Sequence, residues 1–254
     1  DLKKRIKLDK GDKELYSLAE TFDGMFDKLE RSFESEKQFT NDVSHELRTP
    51  MAVIMAQCDY ALSEEMTLEE YKESIELIRR QGSKMSKMIT QMLDFSRIER
   101  RSEKYPTEKT DFSETVRSIC DDLSLIKTKN IVTECETEPG IYVNGNYMLL
   151  TRLVTNLVSN AYRYGVENGR TFVSLHRDGN FAVLSVKDNG IGIKKDDLEK
   201  IFHRFYQADP SHSDGGTGLG LSMVKEIAAF HHGTVTVNSE PGHGSEFIVR
   251  IPTV

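Results

Sequence analysis

The sequence predicts a multidomain chain: an all-α antiparallel helical hairpin that forms a dimeric four-helix bundle, followed by an α+β sandwich domain. Three observations predict it. Apolar residues keep heptad spacing through the first part of the chain. A polar stretch containing Pro106 then interrupts that pattern at residues 100–110. Beyond it, short β-type runs and helical runs are mixed, the pattern of a sheet with helices packed against it.

The first helix is expected over residues 12–63. Leu15, Leu18, Phe22, Met25 and Leu29 recur at 3-4-3-4 spacing, and Phe26 and Phe33 widen the seam. Val43 and Leu47 resume it, and Pro50 predicts a bend because it cannot donate to the Glu46 carbonyl and crowds it. The second helix carries Leu68, Tyr71, Ile75, Ile78, Gly82, Met85, Ile89 and Met92 in strict heptads. Thr67 is its expected N-cap, with Glu70 as the capping-box partner. A hairpin alone buries these faces poorly, so a homodimer is the natural solution.

In the second half, helices are expected at residues 112–128, 146–164 and 217–231. Strands are expected at 131–137 and 141–144. Hairpins are expected at 172–177 with 181–188, across Asp178-Gly179-Asn180, and at 234–239 with 246–251.

Composition narrows the function. The 254 residues carry a net charge of −7, which argues against nucleic acid as a partner. Cys58, Cys120 and Cys135 have no metal-ligand spacing and read as free thiols of a reducing compartment. No apolar run approaches the ~18 residues of a membrane span, and the N-terminus lacks the apolar stretch of a signal peptide. The chain as given is expected to be soluble.

Residues 42–50, Asp-Val-Ser-His-Glu-Leu-Arg-Thr-Pro, place His45 on the first helix with Glu46 beside it and Thr49 four residues on. A neutral imidazole with one free nitrogen is a phosphate acceptor, and an adjacent carboxylate can hold the other N–H. Thr49 shares the helix face of His45.

Three polar clusters follow. Asn156, Asn160, Arg163 and Tyr164 fall at i, i+4, i+7 and i+8, on one helix face. Amide oxygens suit Mg²⁺, Arg163 suits a phosphate and Tyr164 offers a ring; alone, the same face fits a solvated surface. Asp188-Asn-Gly190-Ile-Gly192-Ile193 follows a strand, where a carboxylate can accept from an exocyclic amine and glycines let backbone approach a flat ring; alone, it fits an ordinary turn. Gly215-Gly216-Thr217-Gly218-Leu219-Gly220 opens a helix, whose N–H groups suit phosphate. It lacks the Lys-Ser/Thr of a Walker A loop and does not follow a strand as a dinucleotide fingerprint does.

Taken in order, these motifs resemble the cytoplasmic part of a two-component sensor histidine kinase over nearly the whole chain. Ser44 to Pro50 resembles the H box, Asn156 to Ala161 the N box, Asp188 to Gly192 the first glycine box, Phe202 and Phe205 the F box, and Gly216 to Gly220 the second glycine box. The resemblance implies a gyrase-like ATP-binding fold over residues 111–254, a dimerisation and phosphotransfer hairpin over 34–100, a linker over 101–110 and part of a HAMP segment over 1–33. It implies ATP and Mg²⁺ as cofactors, with Asp188 reading adenine and Asn160 and Asn156 at the metal. Arg163, Tyr164, Gly190, Gly192, Ile193, Arg204, Gly216, Thr217, Gly218, Leu219 and Gly220 complete the nucleotide site.

In this reading His45 is autophosphorylated, Glu46 handles the ring proton, and the phosphoryl group passes to an aspartate on the receiver domain of a response regulator. Thr49 orients water for phosphatase activity. The HAMP resemblance implies a parent anchored in a bacterial membrane through missing N-terminal segments, with this portion on the cytoplasmic side.

The lid at residues 194–216 departs from the family. Gln207 stands where arginine is common, as does His212, and neither gives arginine's bidentate phosphate contacts, so slower or more dynamic closure is expected. His176 and His243 read as surface, and His231 and His232 as cationic rings at a helix C-terminus. A zinc hydrolase is excluded because residue 49 of His45-Glu46-x-x-Thr49 is not histidine. A gyrase-like ATPase that does not phosphorylate itself has no use for an acceptor hairpin. A dimeric scaffold that binds ATP without catalysis has no use for the intact acceptor.

Overall fold

A computed structural model of the chain describes residues 13–63, 66–99, 105–124, 129–208 and 216–254. Most of the lid tip, including His212 and Gly215, lies outside the described residues. So do the first part of the HAMP-like segment, residues 100–104 of the expected linker, and the end of the expected helix at 125–128. The chain divides into two compact units, one through Met85 and one from Ser86 onward.

The first unit holds helix α1 (Lys13–Ser63) and the start of helix α2 (Leu68–Glu99). The helical assignment of α1 runs unbroken through Pro50, whose side chain is buried. Thr67 and Glu70 form the reciprocal capping box. The Glu70 N–H donates to Thr67 Oγ1 at 3.3 Å, and the Thr67 N–H donates to Glu70 Oε2 at 2.7 Å. The bond from the Thr67 N–H and a second from Thr67 Oγ1 to Glu70 Oε2, at 2.8 Å, hold the Glu70 carboxyl below the ordinary glutamate range. Tyr71 Oη donates to Ala61 O at 3.4 Å, tying the start of α2 to the end of α1. Leu18, Phe22, Met25, Leu29 and Phe33 on α1, and Leu68, Tyr71 and Ile75 on α2, remain exposed.

The second unit is an α/β sandwich. Its sheet has the order β2-β4-β5-β7-β6, from β2 (Val132–Thr137), β4 (Arg170–Asp178), β5 (Phe181–Asp188), β6 (Thr234–Glu240) and β7 (Gly244–Pro252). β2 pairs parallel with β4, and the other pairs are antiparallel. A separate ribbon joins β1 (Glu108–Asp111) to β3 (Tyr142–Gly145). Three helices cover one face of the sheet: α3 (Phe112–Ser124), α4 (Tyr147–Tyr164) and α5 (Gly220–Phe230). Strand alternation sends Val173, Leu175, Ala182, Leu184, Val249 and Ile251 under them, while His176 and Lys187 face outward.

Two expectations change at the boundary between the segments. Residues Glu108–Asp111 form β1, because Glu108 to Asp111 pair with Gly145 to Tyr142. The second unit also takes in the end of α2, since Phe95 and Ile98 are buried in its core with Tyr105 and Leu149. Burying side chains of that size stabilises by about 1.5–3 kcal/mol each. Asp94 fixes this end further through an ion pair with Arg152 and a hydrogen bond from Tyr105 Oη at 3.2 Å.

Helix α5 begins at Gly220, later than expected, because Gly218 has φ +66 and cannot continue a right-handed helix. A Cβ on Gly218 would also lie 2.5 Å from the Phe205 backbone.

His231 differs from the cationic surface ring that its position suggests. It is 2% exposed. Its Nδ1 lies 2.7 Å from Ile227 O, and its Nε2 accepts from the Asn146 N–H at 3.0 Å. One donor and one acceptor make a neutral ring, and burial pushes its pKa below the ordinary range, against the pull of the Ile227 carbonyl. A depressed histidine stabilises the fold fully above about pH 6.5, and that contribution is lost as pH falls toward the folded value. Thermal unfolding at about pH 7.5 and about pH 5.5, either side of that value, should show a smaller acid-induced loss for His231→Asn than for the wild type. Equal losses would count against this role.

Candidate functional site

Helix α4 sets the site. Asn146 caps it, accepting from the Leu149 N–H at 3.2 Å. Lys129 Nζ closes the other end by donating to Arg163 O at 2.6 Å and Gly165 O at 3.0 Å. Leu149, Leu150, Leu153, Val154, Leu157 and Val158 are buried against the sheet. That leaves Asn156, Asn160, Arg163 and Tyr164 on the wall of a cavity of about 390 Å³. Gly216, Thr217, Gly218 and Gly220 form the facing wall. A Cβ on Gly216 would lie 2.1 Å from Arg163 Nη1, so the loop packs directly on the guanidinium.

Among the described residues the lining of this cavity includes Lys87, Arg152 and Arg163 and no carboxylate. In a chain of net charge −7, that local excess of cations suits an anion. Gln91 of α2 accepts from Thr217 Oγ1 at 2.7 Å, and Gln207 Nε2 donates to Gly216 O at 3.0 Å. Among the described residues no cluster of three His, Cys, Asp or Glu side chains could hold a metal by itself. The donor set therefore fits a hard cation that arrives with phosphates. Asn156 and Asn160 would add amide oxygens, with phosphate oxygens and water completing its shell.

A second cavity, of about 100 Å³, shares Asn160, Tyr164, Tyr206, Gln207 and Leu221 with the first. Ile191, Ile193, Ile201 and Phe247 make it apolar, and among the described residues Asp188 is the one acid in its lining. Asp188 ends β5, opposite Ser245 of β7. Burial raises its pKa above the ordinary range, while backbone N–H groups of Gly190, at 2.8 Å, and Ser245 oppose that rise. Gly192 lines the slot with φ +69, and a Cβ there would strike Glu240 O at 1.9 Å.

Some expected ligands stand elsewhere. Gly190 lines neither cavity. It packs under the end of α4, where a Cβ would meet Tyr164 O at 2.2 Å. Leu219 is fully buried and lines neither cavity. Arg204 lines neither; its guanidinium lies over the Phe95 ring, 4.0 Å from the centroid. Sequence reasoning missed Lys87, Gln91, Leu221 and Ser245. The first two look like any polar positions on an amphipathic helix, and Ser245 is found only through the β5–β7 register.

His45 is exposed on α1. Among the described residues Glu46 makes no hydrogen bond to its ring. Thr49 Oγ1 lies 3.5 Å from His45 O and turns back onto the helix.

Two family models match. Residues 35–101 match the His Kinase A (phospho-acceptor) domain, and residues 145–254 match the histidine kinase-, DNA gyrase B- and HSP90-like ATPase. The chain is 34% identical over 227 residues to the sensor histidine kinase RppB of Synechocystis sp., covering 87% of this chain and 50% of that protein. It is 31% identical over 244 residues to the sensor protein IrlS of Burkholderia pseudomallei, covering 94% and 52%. The chain thus spans about half the length of these curated relatives. The crystal structure of the histidine kinase ThkA in complex with the response regulator protein TrrA has the same fold. Its TM-score is 0.72 at 23% identity, over 96% of this chain and 68% of that one.

The slot chemistry makes a prediction. An ionised carboxylate in that slot would accept from an adenine amine and repel a guanine carbonyl, so ATP should bind roughly 10- to 100-fold tighter than GTP. Because the folded pKa is raised, that ratio should narrow on acidification at a higher pH than an ordinary carboxylate of about 3.9 allows. Taking the ratio cancels titration of the phosphates. Asp188→Asn should remove both the preference and its pH dependence. A preference that survives the substitution would reject the assignment.

Proposed function

The chain belongs to the two-component sensor histidine kinase family, and on that footing we propose that it is an ATP-dependent protein-histidine kinase that phosphorylates itself on His45. The observation that carries this reading is the pair of joined cavities. One is an apolar slot with a single carboxylate, and the other is cationic and walled by Asn160, Arg163 and the Gly216–Gly220 loop. The first suits adenine, the second a triphosphate with its Mg²⁺.

In the proposed reaction a free nitrogen of His45 attacks the γ-phosphorus. A P–N bond forms, the P–O bond to ADP breaks, and Glu46 takes the proton of the other ring nitrogen. Little covalent chemistry is asked of the ATP-binding residues; they position the phosphates and neutralise charge. Arg163 does the latter, with Asn160 and Asn156 at the metal that accompanies ATP. The phosphoryl group then passes to an aspartate carboxylate of a response regulator's receiver domain. The complex of ThkA with TrrA supports that class of partner. Thr49, a helical turn from His45, orients water toward the phosphorylated regulator for the reverse activity.

Incubation with γ-labelled ATP should give an acid-labile, base-stable label that His45→Gln abolishes. Thr49→Ala should keep the label and lose dephosphorylation of the regulator. An unlabelled wild type rejects the kinase, and undiminished phosphatase activity in the Thr49 variant rejects its role.

We also propose a homodimer closed by a four-helix bundle. Its support is the heptad row left uncovered in one chain, with Ile75 62% exposed and Leu68 74% exposed. Ile75→Glu should shift the chain toward monomer in light scattering; an unchanged mass would reject that face. The HAMP-like segment supports a membrane-anchored parent, although no helix among the described residues is long and apolar enough to cross a membrane.

A further inference from the structure

Helix α3 and strand β2 are fastened by a ladder of side chains. Ser113 Oγ donates to Glu138 O at 2.6 Å, just past the strand. One turn on, Arg117 Nη2 donates to Thr137 Oγ1 at 3.3 Å. From residue 113 to 120 a helix advances about 10.5 Å, and from 138 back to 135 a strand advances about 10 Å. The two elements stay in step, so the next rung sets Cys120 against Cys135.

The thiols interact directly. A hydrogen bond from Cys120 holds the Cys135 thiol below its ordinary range, with the Arg117 guanidinium assisting and burial and Asp121 opposing. That same contact, together with burial, pushes the Cys120 thiol up. Cys120 is 3% exposed, whereas Cys135 is exposed and β2 is an edge strand. Neither residue lines the nucleotide cavities. An accessible sulfur with a buried resolving partner is the arrangement of an oxidisable dithiol.

We propose that Cys120 and Cys135 form a redox modification site, which a two-electron oxidant of the peroxide class converts to an intramolecular disulfide. The Cys135 thiolate attacks one peroxide oxygen. The S–O bond forms, the O–O bond breaks, and the other oxygen leaves with a proton as water. Sulfur is oxidised to a sulfenic acid and the peroxide is reduced. The Cys120 sulfur then attacks the Cys135 sulfur. The S–S bond forms, the S–O bond breaks, and hydroxide leaves with the Cys120 proton as water. A dithiol reductant reverses the link by exchange and is itself oxidised. The link locks α3 to the edge of the sheet without entering the ATP site.

The test treats the folded full chain with hydrogen peroxide, quenches with an alkylating agent and maps peptides without reduction. The expected result is a chain lighter by the two hydrogens lost, with a Cys120–Cys135 cross-linked peptide, Cys58 still alkylated, and full recovery in dithiothreitol. In Cys120→Ser, a dimedone probe should trap the Cys135 sulfenic acid. In Cys135→Ser, no cross-link should form and Cys120 should stay reduced. A wild type that keeps both thiols, or one whose cross-link joins Cys58 instead, overturns the proposal. Loss of Cys135 labelling in the Cys120→Ser variant would also overturn it, because the attacking sulfur would then be misassigned.

Discussion

Helix α4 must present two incompatible surfaces in 18 residues. One is a continuous apolar face, from Leu149 to Ala161, that supplies much of the core under the sheet. The other is the amide and guanidinium face of Asn156, Asn160 and Arg163. At 3.6 residues per turn a shift of one residue rotates the helix by about 100°. That would expose leucine and bury amides, so the packing energy of the core also fixes the aim of the polar groups. No separate device is needed to hold those amides toward the cavity.

The same economy appears in how charge is sorted. Asp188 stands at the end of β5 among isoleucines, with backbone N–H groups as compensation for its burial. The cations stand across Asn160 and Tyr164, in the other cavity. Mixing the two sets would neutralise both and leave neither able to choose a ligand. Gly190 keeps them apart at short range, since only a residue without a side chain lets the turn after Asp188 tuck beneath Tyr164 O.

Much of this was legible in the sequence because local periods determine it. Heptad spacing gave the hairpin, Thr67 and Glu70 its second start, and the i, i+4, i+7, i+8 pattern the polar face of α4. What was not legible depends on which distant segments meet. Phe95 and Ile98 fall one residue off the heptad row, which would continue at Ser96 and Glu99, and nothing local says that they pack into the core of the second unit. Gly190 and Leu219 sit within ligand-type motifs but serve close packing, because a glycine needed by backbone looks like one needed by a ligand. Arg204 finds an aromatic ring from α2. His231 reads as a surface histidine at a helix end, and only the placement of Asn146 against it makes the ring neutral and buried.

That histidine has a mechanical consequence. It bolts the end of α5 to the start of α4, at the end of each helix farthest from Arg163 and Gly216. The two walls of the larger cavity therefore work like tongs with a fixed pivot. Widening at the pivot would break the bond from the Asn146 N–H to His231 Nε2, so any widening concentrates at the jaw, where the glycine loop meets the guanidinium.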